Sequence, residues 1–435
     1  MMRMDQVDVT PTRKKILFGM EPQEVEAEVE KFCRKLAREV DIKGFRKGKA
    51  PTSVVRRMFR DQIRREVGAQ IVSTSLEKFL KEQPLQPVGE PELDVPPLEE
   101  GKEFAFSVLL DVKPELEISD WEGIELTQER ARVSDEEVRE SLRQLQNRHS
   151  KLEGVAEDRG VETGDVVLVD SEGFVDGAPF PGNVKKDLYI EVGAGDARKE
   201  IEEALIGARV GETREAEVEY PHNLVNRDLA GRKAKYRVTI KKILRKDLPP
   251  LDDEFAKDVG AYQSLEDLKE RLREEILREK EKRIRRKLEE DLLEELIRRN
   301  PFEAPRSLVA SRHARLMENA RAHFLSRGLF LERETEGYQK LESDLEQLAE
   351  KEVKKDLLLE ALQKKFSIEV SDEEVERRIQ EIASRHEQSV EKVRAEIQKE
   401  EEGMALFRQG LVSEKTLDFL LGRSRIKVEE EDSDR

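Results

Sequence analysis

Gly44-Phe45-Arg46-Lys47-Gly48-Lys49-Ala50-Pro51 sets one aromatic ring and three cations in a loop punctuated by glycines and closed by a proline. Upstream, Pro22 suits a helix start, and Val25, Val29, Phe32, Cys33, Leu36 and Val40 recur at helical spacing until Gly44 interrupts them. Downstream, Pro51 has the fixed φ of a first helical position, and Val54, Val55, Met58 and Phe59 resume the apolar stripe. The stretch therefore reads as a short turn between two helices. Glycines at both ends permit backbone conformations closed to other residues, so Phe45, Arg46 and Lys47 can stand at a tip. In the competing reading Phe45 staples the helices together and the cations are merely solvated. The residues of the loop alone leave both open.

Charge adds a direction. Between Lys31 and Glu66 there are thirteen Lys/Arg against four Asp/Glu, a local balance of +9 in a chain whose net charge is −17. A molecule that repels polyanions overall but attracts them at one end suggests a docking surface for nucleic acid or another anionic partner.

A chain of 435 residues has room for about two to four domains with separate cores. Charged residues make up 41% and aromatics 5%, which favours long, solvent-washed helices over one thick interior. The lone cysteine, Cys33, excludes an internal disulfide and reads as a small core residue on its helix stripe. Met1 to Met20 alternates like a strand and lacks the apolar run of a signal peptide, and no later segment holds the ~20 apolar residues of a membrane span. The expectation is a cytoplasmic protein with no membrane partner.

The texture changes along the chain. Residues 1–115 combine a strand near Lys14 to Phe18, the two helices beside the loop, a helix from Asp61 to Lys81, a break at Pro84, Pro87, Pro91, Pro96 and Pro97, and a strand from Phe104 to Val112. This is an α+β pattern with helices on one face of a small sheet. Residues 116–150 read as a connector. Within it Ser134 and Glu137 form a capping box, and the hexapeptide Val133 to Val138 recurs at Val370 to Val375, where Ser371 and Glu374 can cap a second helix. Residues 151–246 are rich in strands: Val166 to Val169 form a buried run, Asp176-Gly177 signals a hairpin, and Tyr236, Val238, Ile240 and Ile243 close the region. Residues 247–435 read as helical. One helix runs from Ser264 to Arg299, then others from Pro305, from Glu342 to Lys365, from Ser371 to Arg385 and through to Leu421, before an acidic tail at Glu429 to Arg435 expected to be disordered.

The string Gly-Phe-Arg-x-Gly-x-x-Pro, in a basic N-terminal region of a chain this long, resembles the signature of the trigger factor family of bacterial ribosome-associated chaperones, and the likeness extends over essentially the full length. The resemblance implies a multidomain α+β fold: an α+β N-terminal ribosome-binding domain, a β-rich FKBP-like domain, and an elongated all-α C-terminal chaperone domain. It implies an ATP-independent chaperone that docks at the exit tunnel and shields new polypeptides, assisting folding and export. Carried over, the ribosome-binding residues are Gly44, Phe45, Arg46, Lys47 and Gly48. The implied partners are a protein and the RNA of the large ribosomal subunit, nascent or unfolded polypeptides, and a second copy of the chain in a weak homodimer off the ribosome.

The FKBP-type domain also implies a peptidyl-prolyl isomerase, and here the residues depart from the family. The Ile-Pro-Gly-Phe-Glu stretch of the pocket floor falls on Arg198, Lys199, Glu200, Ile201 and Glu202, an aromatic of the first long strand falls near Ser171, and a loop tyrosine falls near Leu224. Phe180, Ile201, Leu224 and Tyr236 remain as pocket candidates. Prolyl isomerisation needs no nucleophile, metal or cofactor, only a dry wall that favours the twisted amide, so polar replacements matter. The expectation is the FKBP-like fold with inefficient isomerisation. Scattered apolar residues of the helical part, Leu316, Phe324, Leu329, Phe330 and Phe407, suit either client contact or ordinary inter-helix packing.

Other chemistry is thin. The glycines of Gly44 to Ala50 have the wrong spacing for a phosphate loop, Gly193-Ala194-Gly195 lacks the third glycine of a dinucleotide fingerprint, and the histidines at 149, 222, 313, 323 and 386 have no metal-ligand spacing. No metal and no cofactor is expected. Two other classes stay in view: a dedicated peptidyl-prolyl isomerase, and a ribosome- or RNA-binding helical adaptor without client activity.

Overall fold

The computed structural model describes residues 3–42, 45, 48–83, 85–99, 101–155, 159–333, 335–399 and 402–429. The chain divides into two units, one assembled from Met1–Ile124, Leu293–Met317 and Glu342–Ser424, the other from Glu125–Leu292, Glu318–Leu341 and Arg425–Arg435.

The first unit opens with an antiparallel hairpin of β1 (Arg3–Thr10) and β2 (Arg13–Met20), followed by α1 (Pro22–Glu39), α2 (Thr52–Met58) and α3 (Arg60–Glu82). Two further strands, β3 (Pro87–Asp94) and β4 (Phe104–Val112), complete a sheet of order β1-β2-β4-β3. Alternation along β4 turns Phe104, Phe106, Val108, Leu110 and Val112 into the interior. Helical spacing along α1 brings Val25, Val29, Cys33 and Leu36 to the same core. Phe18 of β2 stacks on Phe106 at 4.8 Å and meets Phe79 of α3 edge-on at 6.1 Å, so sheet and helices share one aromatic centre.

Strand β3 corrects the sequence reading, which took the proline cluster only as a break. Pro87 begins the strand and Pro91 falls in the register shift between Val88 and Glu92, where no ladder bond is required of it. Because β3 is an edge strand paired to β4 alone, its prolines cost the sheet nothing. Pro84 lies outside the described residues.

The second unit carries β5 (Glu125–Glu129), α4 (Asp135–Arg148), β6 (Lys151–Gly154), β7 (Val166–Val175), β8 (Ala178–Glu191), α5 (Lys199–Leu205), β9 (Thr213–Glu219) and β10 (Lys233–Asp247). Ser134 and Glu137 cap α4 reciprocally, as their spacing predicts. The long β10 organises a five-stranded antiparallel sheet of order β6-β10-β7-β8, with β9 also paired to β10. Asp176 and Gly177 make the β7–β8 turn with φ of 51° and 80°, the left-handed pair that a two-residue hairpin demands. Ile201 and Leu205 of α5 pack on Val167, Val169, Val218, Val238 and Ile240.

Helices α6 (Asp253–Val259), α7 (Leu265–Arg299), α8 (Arg306–Ser326), α9 (Glu336–Phe366), α10 (Asp372–Arg385), α11 (Val390–Ile397) and α12 (Gly403–Leu421) follow, then β11 (Arg425–Glu429). The 35 residues of α7 correspond to about 52 Å at ~1.5 Å per residue. Helix α9 starts six residues before the predicted Glu342, because Thr335 accepts from Tyr338 N at 3.1 Å and supplies the cap. Ser371 and Glu374 cap α10. Phe407 packs against the α10–α11 core, the inter-helix alternative of the two readings given for it. Strand β11 is a second correction: Glu429, read as the first residue of a disordered tail, ends a strand that pairs in parallel with β5. Residues 430–435 lie outside the described residues.

Candidate functional site

The loop between α1 and α2 is shaped by main-chain bonds at its two ends. Ile42 is buried in the first core and its carbonyl accepts from Phe45 N at 3.0 Å, while Gly48 N donates to Ala37 O at 3.1 Å. Gly48 has φ of +79°, a left-handed conformation that glycine adopts without penalty. Pro51 takes the N-cap position, one residue earlier than the sequence suggested, and Thr52 begins α2. Phe45 is 42% exposed, so its ring is not a staple between the helices. Gly44, Arg46 and Lys47 lie outside the described residues.

Around the loop the basic character is divided. Arg34 pairs with Glu30 at 2.8 Å and Arg56 with Glu26 at 2.6 Å. Arg38, Lys49, Arg57 and Arg60 are exposed and make no ion pair among the described residues, which leaves their charge available to an outside anion.

A second candidate site lies in the sheet of the other unit. Phe180 of β8 and Tyr236 of β10 meet edge-on at 6.5 Å, and Leu224, from the segment between β9 and β10, joins them over Val175, Leu229 and Ala234. Gly173 of β7 permits this approach, since a Cβ there would stand 2.8 Å from both rings. Ile201 is not in this cluster. It sits 9% exposed in the adjoining core, which shares Tyr220 and Tyr236 at its border with the pocket. Tyr220, which is not among the pocket candidates of the sequence, holds Tyr236 by a 2.7 Å bond between hydroxyls. Burial, then this bond, raises the Tyr236 phenol above its ordinary range. The Arg198 guanidinium stands 5.1 Å from the centre of the Tyr220 ring, and Glu202 turns inward to accept from Gly193 N at 2.9 Å and Ala197 N at 3.0 Å. Arg198 thus borders the cluster through Tyr220, while Glu202 is buried against the segment before α5, and Ser171 is buried on β7. The signal for Tyr220 is the alternation Ala216, Val218, Tyr220, which continues one residue past the end of β9.

Among the described residues no helix is long and apolar enough to cross a membrane, and no three His, Cys, Asp or Glu side chains are grouped to hold a metal ion.

The model of the family "Bacterial trigger factor protein (TF)" matches residues 2–145, that of its C-terminus matches 264–422, and the FKBP-type peptidyl-prolyl cis-trans isomerase model matches 157–241. A trigger factor of Geotalea uraniireducens is 33% identical over 428 residues, 98% of each chain. The chain belongs to the trigger factor family. Trigger factors of Carboxydothermus hydrogenoformans and Pelotomaculum thermopropionicum are each 34% identical, the first over 98% of this chain and 100% of that relative, the second over 93% and 94%. A solved trigger factor chaperone structure is matched over 97% of this chain and 99% of that one, with a TM-score of 0.51 at 23% identity, and shares the fold. Members of the trigger factor family are ribosome-associated chaperones with an FKBP-type domain, and this chain is one. The family implies binding to ribosomes and nascent chains.

Proposed function

We propose that the chain docks at the exit tunnel of the large ribosomal subunit through the loop Gly44 to Gly48, with Phe45, Arg46 and Lys47 touching a tunnel-rim protein and ribosomal RNA. The observation that carries this reading is the exposed Phe45 ring, 42% accessible, at the tip of the basic region. An exposed aromatic among cations suits a surface of phosphates and apolar pockets. Residues 1–115 are the docking domain, 116–150 a connector, 151–246 the isomerase-like domain and 247–435 the chaperone domain, working in the cytoplasm. Docking raises the local concentration of weak apolar sites over an emerging chain, so no single contact need be strong and no nucleotide is needed for release. Replacing Phe45, Arg46 and Lys47 together by Ala is expected to abolish co-sedimentation with ribosomes while the circular dichroism spectrum is unchanged. Retained co-sedimentation would remove this loop from the reading.

The isomerase-like domain serves mainly to contact clients. Its walls, Phe180, Leu224 and Tyr236, suit an apolar segment. Arg198, over the Tyr220 ring at its border, sets a charge where a dry surface would be needed to favour the twisted amide over a barrier of roughly 18–20 kcal/mol. The full chain is expected to accelerate cis-to-trans conversion of an X-Pro peptide only weakly; a fast rate abolished by Phe180→Ala or Tyr236→Ala would reverse this assignment.

A further inference from the structure

The turn between α8 and α9 is bonded to the segment between β9 and β10, and all the residues concerned belong to the second unit. After Ser326 the helix is closed by Gly328 with φ of +72°, and Leu329 N donates back to Phe324 O at 2.9 Å. Leu329 then pairs antiparallel with Leu224 as an isolated bridge. Val225 N donates to Gly328 O at 2.8 Å, Phe330 N donates to Asn223 O at 2.6 Å, and the Asn223 amide donates to Phe330 O at 2.9 Å. Adjacent peptide units of the turn are thus held by main-chain bonds, as when an extended peptide adds to a strand edge. The receiving residue, Leu224, is a wall of the apolar cluster with Phe180, Tyr220 and Tyr236.

Two observations separate this contact from ordinary core packing. Phe330 is 46% exposed and Val225 37% exposed, so little apolar surface holds the junction shut. The bonds are made almost wholly by main chain, which any polypeptide can supply, and a proline is not required.

We infer that Asn223 to Val225 form a receiving edge for an extended apolar stretch of an unfolded polypeptide, and that Gly328, Leu329 and Phe330 occupy it in cis as a competing pseudo-client. This rests on the chaperone reading of the chain and adds to it a self-occupied client site. A tethered competitor lowers apparent affinity by the fraction of molecules in which the edge is open. With the edge open in about one molecule in ten, freeing it tightens binding about tenfold.

The test uses the full chain and a fluorescein-labelled peptide with this protein's own sequence Ser326 to Glu332. The double variant Leu329→Ser/Phe330→Pro removes the N–H that donates to Asn223 O and leaves every residue of the receiving edge in place, and its fluorescence anisotropy titration should show about tenfold tighter binding than wild type. Equal or weaker binding by a folded variant would overturn the inference. Hydrogen exchange on wild type gives a second reading that needs no variant: saturating peptide should strip protection from the Phe330 amide while the Val225 amide keeps it. If neither amide responds to bound peptide, the edge is not the site. Wild type should co-sediment with ribosomes, and its failure to do so would count against the chaperone reading itself. Failure of the cis competitor alone would leave co-sedimentation intact.

Discussion

Gly173→Ala tests how the isomerase-like pocket is built. A Cβ at this position would stand 2.8 Å from Phe180 Cε1 and Cζ and 2.8 Å from Tyr236 Cε1, closer than carbon atoms approach without displacement. Tyr236 cannot retreat freely, because its hydroxyl is tied to Tyr220 at 2.7 Å. The new methyl must therefore push Phe180 outward or strain the β7–β10 pairing, which runs Gly173 opposite Tyr236. Overpacking of this kind costs about 1–3 kcal/mol, partly offset by the ~0.5–1 kcal/mol that alanine gains over glycine in a strand. The net loss is about 0.5–2 kcal/mol, equivalent to roughly 2- to 30-fold in an opening equilibrium. A chain of several cooperative parts does not unfold in one step, so a global melting curve would blur the effect. Native-state hydrogen exchange of the β7 and β10 amides reads it locally, and these should exchange faster by that factor. Exchange as slow as in wild type would mean that the two rings have room to spare, and that the glycine is not what lets them meet.

Asp165 is 3% exposed, receives Arg159 at 2.7 and 2.9 Å and accepts from Glu162 N at 2.8 Å. Burial alone would push its carboxyl up, but Arg159 and the amide outweigh it and hold it below the ordinary aspartate value. Its stabilising contribution is therefore present above the unfolded aspartate range and is lost as pH falls through the lower folded value, an acid-side dependence that urea titrations of wild type and Asp165→Ala should reveal as converging at low pH. At neutral pH the same substitution removes the nearest carboxylate from the Arg159 guanidinium, which keeps Glu162 at 3.8 Å and the Gly160 carbonyl at 2.9 Å, and should cost about 1.5–3 kcal/mol by urea denaturation followed through the sheet of the second unit. Ribosome co-sedimentation should weaken steadily between low and high salt, because exposed cations act over a Debye length of ~10 Å at 0.1 M. A salt-independent association would shift the docking energy onto Phe45.

Local chemistry made much of this fold readable. Ser134 with Glu137 and Ser371 with Glu374 start helices because a side-chain oxygen and a carboxylate three residues apart satisfy each other's end groups, with no help from the rest of the chain. Asp176-Gly177 turns a hairpin for an equally local reason. What escaped was set elsewhere. Strand β11 presents five exposed residues that extend by pairing with the backbone of β5, and β3 tolerates prolines because β4 is the one strand it pairs with among the described residues. At the candidate site, Phe180, Leu224 and Tyr236 come together, whereas Ile201 is drawn into the α5 core by the sheet beneath it. Tyr220 follows the alternation of Ala216 and Val218, whereas the turn at Leu329 reaches the pocket through a pairing that no spacing announces.

The parallel pairing of β5 with β11 also orders events in time. Arg425 lies opposite Glu125, 300 residues later in the chain. At ~5–20 residues per second of synthesis, β5 waits about 15–60 s for its partner to be made. Through that interval a lone strand edge is available to any neighbouring backbone. A protein that attends others at birth therefore passes through its own synthesis with one seam unsewn.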